Sequence, residues 1–255
     1  MPIEVHIVTR PTFDAHVYKA ALGVLGPGWK QTPGASNSEE IVEAAGRICY
    51  LSYGEAQAPR TNAEYIANLI GMGHESVLEH VNWGFVLTGI SRAFSHQLVR
   101  HRVGWAFSQL SQQYHDELDA QFAEPSALSR SPAARIAWNE AVEASRDAYR
   151  KILRILNESA SSLSSKEEKE IRRGIFTAAR SVLPNATETK IFATVNARAL
   201  RHFFSLRGAI EGDEEMRRVS ALLLAIVRED APALFSDFAI ESLQDGSPRV
   251  VRRME

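Results

Sequence analysis

Hydrophobic residues recur along this 255-residue chain with two periods, one typical of strands and one typical of helices. Ile3, Val5 and Ile7 alternate with polar neighbours, which predicts a half-buried strand near the amino end. Spacings of three and four positions predict most other elements. We therefore expect further strands at 81–87 and 189–195, and helices at 38–50, 62–72, 91–101, 138–156, 166–182, 196–206 and 213–227.

Segments rich in Gly, Pro and Ser predict where these elements are interrupted. Residues 23–38 favour a loop, and the polar residues 157–165 favour a hinge between two long helices. Pro184 is expected to stop the second of these helices. Because no repeat or long linker divides the chain, the pattern favours one α+β domain over residues 1–255, with helices packed on a small, mostly antiparallel sheet.

The composition is typical of a folded protein with little overall charge. Hydrophobic residues make up 45% of the chain, which suits a packed core and excludes disorder as the main state. With 29 basic and 31 acidic residues, the formal net charge of -2 creates no general field that would hold nucleic acid or an anionic membrane. Any polyanionic ligand must therefore be bound by a local cluster of cations.

Cysteine usage and the amino terminus indicate a cytoplasmic protein. Cys49 is the single cysteine, so an internal disulfide is impossible, and we interpret it as a packing residue rather than a reactive thiol. No signal-peptide pattern and no apolar stretch of roughly 18 residues occurs.

One stretch of the chain is free of acidic residues, because no Asp or Glu occurs between positions 80 and 115. Arg100, His101 and Arg102 are expected at the end of a helix, with Gln109 and Ser111 in a following loop. Guanidinium groups beside loop hydroxyls and amides suit a phosphate and the edge of a planar heterocycle. The alternative is a solvated helix end, where cations offset the negative end of the helix dipole.

A second cationic cluster lies between residues 179 and 207, where Glu188 is the only acid. Asn196, Arg198, Arg201 and His202 recur there at helical spacing. Of the 29 basic residues 23 are Arg, whose planar fork matches the oxygens of phosphates and carboxylates. An Arg-rich genome is the alternative explanation for both clusters.

Residues 73–80 offer two histidines and two glutamates, which resembles half of a metal site. We expect structural polar contacts instead, because a strand begins at 81 and a short helix cannot aim all four side chains at one ion. No P-loop, nucleophile elbow or dinucleotide-binding Gly pattern occurs.

Five motifs follow one another in order. They are Gly73-His74-Glu75-Ser76 with Glu79-His80, Arg100-His101-Arg102 with eight residues before Ser111, Ala179-Arg180 with Leu183-Pro184, Asn196-Ala197-Arg198, and Phe204-Ser205-Leu206-Arg207. Together they resemble the flavin-dependent thymidylate synthases. The resemblance implies an α+β fold, homotetramers with shared active sites, and methylation of C5 of dUMP with FAD, NADPH and 5,10-methylenetetrahydrofolate.

The resemblance also implies roles for single residues. It implies FAD binding by His74, Ser76, Arg100, His101, Arg102, Gln109, Asn196, Arg198 and His202, while Cys49 occupies a position that touches the flavin. It implies nucleotide binding by Gln97, Arg100, Gln109, Ser111, Gln112, Gln113, Arg180 and Arg207. Arg207 and Ser111 are the expected catalytic residues. Arg207 would favour the ionised N3 of uracil and activate C5, Ser111 would lie near the phosphate, and no metal is implied.

The chain departs from the family pattern at three places. Gln113 replaces a common Arg, His202 replaces a common Asn, and residues 208–213 differ from the usual sequence after Arg207. Altered nucleotide contacts leave the ribonucleotide UMP open as the substrate in place of dUMP. A non-catalytic nucleotide- or RNA-binding module is a further alternative, although the near-zero net charge does not favour RNA.

Overall fold

The computed structural model describes residues 2–57, 60–159 and 165–253. Its strands are β1 (Glu4–Thr9), β2 (Asn82–Ser91), β3 (Trp105–Gln109), β4 (Glu188–Asn196), β5 (Phe238–Ser242) and β6 (Pro248–Arg252). Its α-helices are α1 (Ala15–Ala21), α2 (Asn37–Tyr50), α3 (Asn62–Gly71), α4 (Arg92–Leu98), α5 (Pro132–Ser159), α6 (Ser165–Ala179), α7 (Ala197–Arg207) and α8 (Glu214–Asp230). Short 3-10 helices include Gly23–Gly28, Glu75–His80 and Arg180–Val182.

The strands form two sheets. Four of them pair in the order β1-β2-β4-β3, and β5 pairs with β6 in antiparallel register, with Phe238 opposite Arg252. This mixture of helices with antiparallel sheet confirms the expected α+β class. None of the helices among the described residues is long and apolar enough to cross a membrane.

The chain divides into two compact units. The first unit comprises Met1–Glu4, Leu87–Arg100 and Ser108–Ile191, and the second comprises Val5–Val86, His101–Phe107 and Phe192–Glu255. The assignment of residues 1–255 to one domain stays a prediction.

The first unit is built on the packing of α5 against α6. Tyr149 and Leu153 of α5 are buried with Ile175 and Phe176 of α6. The Tyr149 hydroxyl also accepts a hydrogen bond of 2.9 Å from the backbone N–H of Glu117. The helix pair therefore fixes the segment that follows the predicted nucleotide loop.

The second unit contains α7 and α8 in its core. Leu200, Phe203 and Phe204 of α7 are buried, with at most 1% of each residue exposed. Since residues on one helix face recur every three to four positions, the other face carries Arg198 and His202, which are exposed. Helical periodicity thus sorts α7 into a packing face and a polar face.

Several helix starts follow from their capping residues. The Thr61 hydroxyl caps α3 as expected, and the Glu64 carboxylate accepts from the Thr61 N–H to complete a capping box. The helix predicted at 38–50 begins one residue earlier, since Ser36 and Glu39 form an equivalent box.

The region around Gly104 differs from the prediction. The helix predicted at 91–101 ends at Leu98, so Arg100, His101 and Arg102 lie beyond its end. The expected loop after Gly104 contains β3, which ends at Gln109. A left-handed Gly104 with φ of 73° precedes this strand, and short strands with few alternating residues leave a weak sequence signal.

Other elements were not expected. The helix α1 and the strands β5 and β6 were not predicted, and the expected loop at 23–38 contains the 3-10 helix Gly23–Gly28. The predicted hinge at 157–165 is described only in part, because α5 continues to Ser159 and residues 160–164 lie outside the described part of the chain.

Candidate active site

Arg207 and His101 are in direct contact in the second unit. The Nε of Arg207 donates a hydrogen bond of 3.3 Å to Nε2 of His101. The imidazole is fixed by an edge-on contact with the ring of Phe203, 5.2 Å away between centroids. Arg207 is the last residue of α7. Its guanidinium is held by His101, which comes from a different part of the chain.

The protonation state of His101 follows from its surroundings. Burial lowers the pKa of His101, and the positive charges of Arg207 and His202 lower it further. A neutral imidazole can accept the hydrogen bond from Arg207, whereas a protonated ring would repel it. The contact therefore keeps Arg207 oriented with its remaining N–H groups available.

Asn196 caps α7. Its Oδ1 accepts a hydrogen bond of 2.8 Å from the N–H of Ala199. A Cβ at Gly104 would lie 2.7 Å from the Asn196 Nδ2, so the glycine lets the backbone approach this amide. Asn196, predicted to contact FAD, thus has a structural role of its own.

Arg198 is paired with carboxylates rather than free. Its Nη1 donates a hydrogen bond of 2.5 Å to Glu79, and Glu75 lies 3.9 Å from its Nε. The two glutamates are four residues apart on the 3-10 helix Glu75–His80. The His and Glu pattern of this segment therefore serves an ion pair with α7.

Arg201 does not belong to a cationic ligand site, contrary to the sequence interpretation. It is only 3% exposed and its two Nη atoms donate to the two carboxylate oxygens of Asp237 at 2.6 and 2.7 Å. The carbonyl of Leu234 accepts from Nη1 at 2.6 Å. Helical spacing placed Arg201 in the cluster, but an Asp distant in sequence pairs with it.

His74 is exposed and lies beside Tyr50. The Tyr50 hydroxyl and the His74 Nδ1 are 2.9 Å apart, and their rings stack. Ser76 and Arg102 are exposed as well. Cys49 is exposed near the end of α2, so its interpretation as a packing residue is wrong.

Several of the predicted nucleotide-binding residues of the first unit lie in a turn at residues 111–115. The carbonyl of Ser111 accepts from the N–H groups of Tyr114 and His115, each at 3.2 Å. The Ser111 hydroxyl accepts from the N–H of Gln113 at 3.3 Å, and the Gln113 amide donates to the Thr177 hydroxyl at 3.3 Å. The Ser111 hydroxyl proton stays free to be donated to a ligand.

Gln112 is buried together with Glu117. Gln112 is 5% exposed and Glu117 is 7% exposed. Burial raises the pKa of the Glu117 carboxyl, while His115, the Gln112 amide and Arg92 act in the opposite direction. The side chain of Gln112 is therefore buried near Glu117, and its contact with the nucleotide stays a prediction.

Two half-buried arginines of the first unit lie close enough to repel each other. Burial lowers the pKa of the Arg92 guanidinium, the charge of Glu117 raises it, and the charge of Arg180 lowers it again. Neither arginine forms an ion pair or a side-chain hydrogen bond within the described ranges. The charge of Glu117 acts on Arg92 without a direct ion pair, and two cations kept this close together favour a site for an anion.

The other predicted residues have varied surroundings. Gln109 is half-buried, and its amide donates to the hydroxyls of Ser95 at 2.9 Å and Thr189 at 3.2 Å. Gln97 is half-buried on α4, and Arg100 is exposed just beyond it. Of these, Arg100 and Gln97 remain the more available to a ligand.

Sequence reasoning missed three partners of the predicted residues. Tyr50 beside His74 gave no signal, because the two residues lie on different elements. The carboxylates of Glu75 and Glu79 were noted as possible metal ligands, but their four-residue spacing also suits one arginine between them. Periodicity in the sequence does not predict contacts between residues that are distant along the chain.

Comparisons with known proteins agree with the motifs. Residues 32–233 match the model of the family described as thymidylate synthase complementing protein. The flavin-dependent thymidylate synthase of Mycolicibacterium gilvum is 37% identical over 253 residues, covering 96% of this chain and 94% of the relative. The enzyme of the same name from Mycobacterium leprae is 38% identical over 250 residues, with coverage of 96% and 94%. That of Mycobacterium avium is 41% identical over 216 residues, covering 84% of each chain. The resemblance inferred from the motifs is confirmed, and the chain belongs to the family of flavin-dependent thymidylate synthases.

Proposed function

We propose that this protein methylates C5 of dUMP to give dTMP, with 5,10-methylenetetrahydrofolate as carbon donor and NADPH as reductant acting through FAD. Membership of the family is the observation that carries the proposal. It does not favour the alternative of a non-catalytic nucleotide- or RNA-binding module.

The residues of the second unit suit the flavin cofactor. Exposed imidazole, hydroxyl and guanidinium groups are the donors that phosphates and heterocycle edges accept, and His74, Ser76, Arg102 and His202 are all exposed. With His101, Asn196 and Arg198 from the same unit, they would hold FAD. The family resemblance adds Arg100 and Gln109 to the residues proposed to bind FAD. When bound, FAD supplies the redox chemistry that amino-acid side chains lack.

Arg207 is the residue proposed to activate the pyrimidine. Uracil C5 is a weak nucleophile, and its reactivity rises when negative charge on N3 and O4 is stabilised. A preorganised guanidinium supplies that stabilisation, and the neutral His101 fixes the Arg207 guanidinium without competing for the negative charge. The methylene carbon replaces the C5 proton while its bonds to the folate nitrogens break, and NADPH would supply through FAD the two electrons that reduce the methylene to a methyl group.

The first unit supplies the proposed nucleotide contacts. Arg180 offers a guanidinium without a carboxylate partner in the described part of the chain, and the Ser111 hydroxyl is a free donor. Gln97, Arg100, Gln109, Gln112 and Gln113 complete the proposed set. Ser111 acts by positioning the phosphate, because its hydroxyl bonds to a backbone N–H and not to a base.

We also propose a cytoplasmic homotetramer with shared active sites. The single cysteine suits a reducing compartment, and the family resemblance supports the assembly. Light scattering on the purified protein would test it, with four chains of 28.3 kDa expected.

Tritium release from C5-labelled dUMP tests the activity directly. The flavin-loaded protein should release tritium and oxidise NADPH when the folate is present. Arg207→Ala should slow turnover about 100- to 1,000-fold with flavin content largely retained. Arg218→Ala, an exposed arginine of α8 paired with Glu214, is the matched control and should retain activity. A colourless protein that binds no added FAD and releases no tritium would refute the proposal.

The same assay determines whether the deoxyribonucleotide or the ribonucleotide is the preferred substrate. Gln113 offers a neutral amide and bonds to Thr177, which leaves the ribonucleotide UMP as the second candidate. We expect dUMP to be turned over faster than UMP. The reverse order of kcat/KM would assign the protein to ribonucleotide methylation.

A further inference from the structure

One face of α6 runs along the turn that contains Ser111. Arg173 and Thr177 occupy positions i and i+4 on the same side of α6, and Arg180 follows as the first residue of the 3-10 helix Arg180–Val182. Thr177 accepts the hydrogen bond from Gln113, and the Arg173 guanidinium lies 4.8 Å from the ring centroid of Tyr114. The helix therefore contacts two successive residues of the turn.

The ring of Tyr114 is a defined platform for Arg173. The backbone N–H of Tyr114 donates to the Ser111 carbonyl, which closes the turn and fixes the residue. Tyr114 is 66% exposed, so its position is not imposed by core packing. A guanidinium over an aromatic face is attracted by the ring electrons, and this contact restricts the long arginine side chain.

The contact with Tyr114 uses the face of the ring and consumes no N–H of Arg173. Within the described ranges, no carboxylate lies within 4.0 Å of the Arg173 guanidinium and no side-chain acceptor bonds to it. Its N–H donors thus remain available in a planar fork, the geometry that matches two oxygens of a phosphate or carboxylate. Arg180 lies seven residues further, about 10 Å along a helix axis.

We propose that Arg173 is a further ligand-binding residue that holds an oxyanion of the substrate bound at the 111–115 turn. The inference rests on the proposed function, which places a nucleotide at that turn. Two ligands carry such an oxyanion, namely the phosphate of the nucleotide and the glutamate carboxylates of the folate. Tyr114 orients the guanidinium, and Thr177 together with Gln113 fixes the distance between the helix and the turn.

Arg172 provides a matched control on the same helix. It is also exposed, and its guanidinium lies over the ring of Phe176 at 5.4 Å, but Phe176 is a core residue of the helix pair and not part of the turn. Arg172→Ala and Arg173→Ala remove the same charge and the same type of aromatic contact. Only the second removes a donor next to the turn.

Steady-state kinetics of the flavin-loaded variants test the proposal. Loss of one charge-assisted contact should raise KM for one ligand about 10-fold or more, with kcat changed less than about 2-fold. Arg173→Lys, which keeps the charge, should recover part of the loss. Arg172→Ala should leave both KM values as in the unmodified enzyme.

The two ligand sources give different results. If the phosphate is bound, KM for dUMP rises and equilibrium binding of dUMP weakens, while binding of deoxyuridine, which lacks the phosphate, does not change. If the folate carboxylates are bound, KM for methylenetetrahydrofolate rises and binding of dUMP is unchanged. Equal kinetics for Arg173→Ala and Arg172→Ala would overturn the proposal.

Failure of the proposed function is recognised separately. An unmodified protein without turnover would refute the function itself. Titrations with dUMP alone and with methylenetetrahydrofolate alone, which need no chemistry, then still compare the two variants. Equal affinities of the two variants for both ligands would overturn the role of Arg173.

Discussion

The arginines of the two units differ in their partners. In the second unit Arg201 forms an ion pair with Asp237 and Arg198 forms one with Glu79. Arg207 donates a hydrogen bond to the ring of His101. In the first unit the half-buried Arg92 and Arg180 have no ion pair or side-chain hydrogen bond within the described ranges, and they repel each other. These three arginines of the second unit therefore have a partner within the chain, whereas the first unit leaves Arg92 and Arg180 without a direct one.

The difference separates a buried arginine that is satisfied within the chain from half-buried arginines that are not. A guanidinium withdrawn from water needs a partner, since leaving it unpaired costs free energy. Arg201, at 3% exposure, meets that need within the chain. Arg92 and Arg180 form no direct ion pair within the described ranges, which supports the proposal that Arg180 binds the phosphate of the substrate. Counting cations in the sequence does not distinguish these cases.

Arg201→Ala should have the largest effect on stability. The substitution leaves Asp237 half-buried without its bidentate partner and should lower the free energy of unfolding by about 3–5 kcal/mol. Arg252, which donates to the same carboxylate at 2.7 Å, should limit the loss. Urea denaturation followed by circular dichroism measures the change. Arg201→Lys keeps the charge but loses the planar fork. Its free energy of unfolding should lie between those of the unmodified protein and of Arg201→Ala.

Arg218→Ala is the control for this measurement. It removes an exposed pair with Glu214, which is expected to contribute about 0.3–0.5 kcal/mol. An Arg201→Ala protein as stable as Arg218→Ala would contradict the distinction between buried and exposed pairs.

Arg180→Met should act in the opposite direction on stability. It removes the repulsion with Arg92 and keeps most of the side-chain volume, so the free energy of unfolding should stay equal or rise by up to about 1 kcal/mol. Nucleotide affinity should fall about 10- to 100-fold. Thermal unfolding with and without dUMP measures both effects, and a clear loss of stability without ligand would show that Arg180 has a structural partner.

The pH dependence of stability gives the smallest expected effect. The pKa of His101 is lowered in the folded protein, first by burial and then by Arg207 and His202. The unfolded chain, with a pKa of about 6.5, therefore binds the proton first. The contribution of His101 is complete above that pH and decreases as the pH falls below it towards the lowered pKa.

His101→Gln should therefore flatten the fall in stability below about pH 6.5, by less than about 1.4 kcal/mol per pH unit. Denaturation curves between pH 5 and pH 8 measure the slope. His16→Gln, at an exposed histidine of α1, is the control and should keep the original slope. An unchanged slope in His101→Gln would refute the lowered pKa.

Local patterns predicted the long elements well. The apolar face of α7 and the cap of α3 could be read from spacing and from Thr61. The end of α4 and the strand β3 could not, because a glycine turn and a five-residue strand give too few positions for a period to appear. The strands β5 and β6 were missed for the same reason.

Local patterns also predicted only part of the candidate site. The order and spacing of the motifs identified the family, and the matches over residues 32–233 confirm it. Their individual roles in binding stay predictions. The burial of Gln112 and of Arg201 could not be predicted from the sequence. Burial of each side chain depends on residues outside its own helical turn or loop.

The sequence by itself determined the α+β class, the major helices and the family, since these depend on periodicity and on motifs within short segments. The tertiary structure decided which arginine pairs with which carboxylate, which imidazole orients Arg207, and which helix face lies along the 111–115 turn. The physical reason is that Coulomb interactions and burial depend on distance in space. Residues 201 and 237 are far apart along the chain, yet their opposite charges are 2.6 Å apart in the fold.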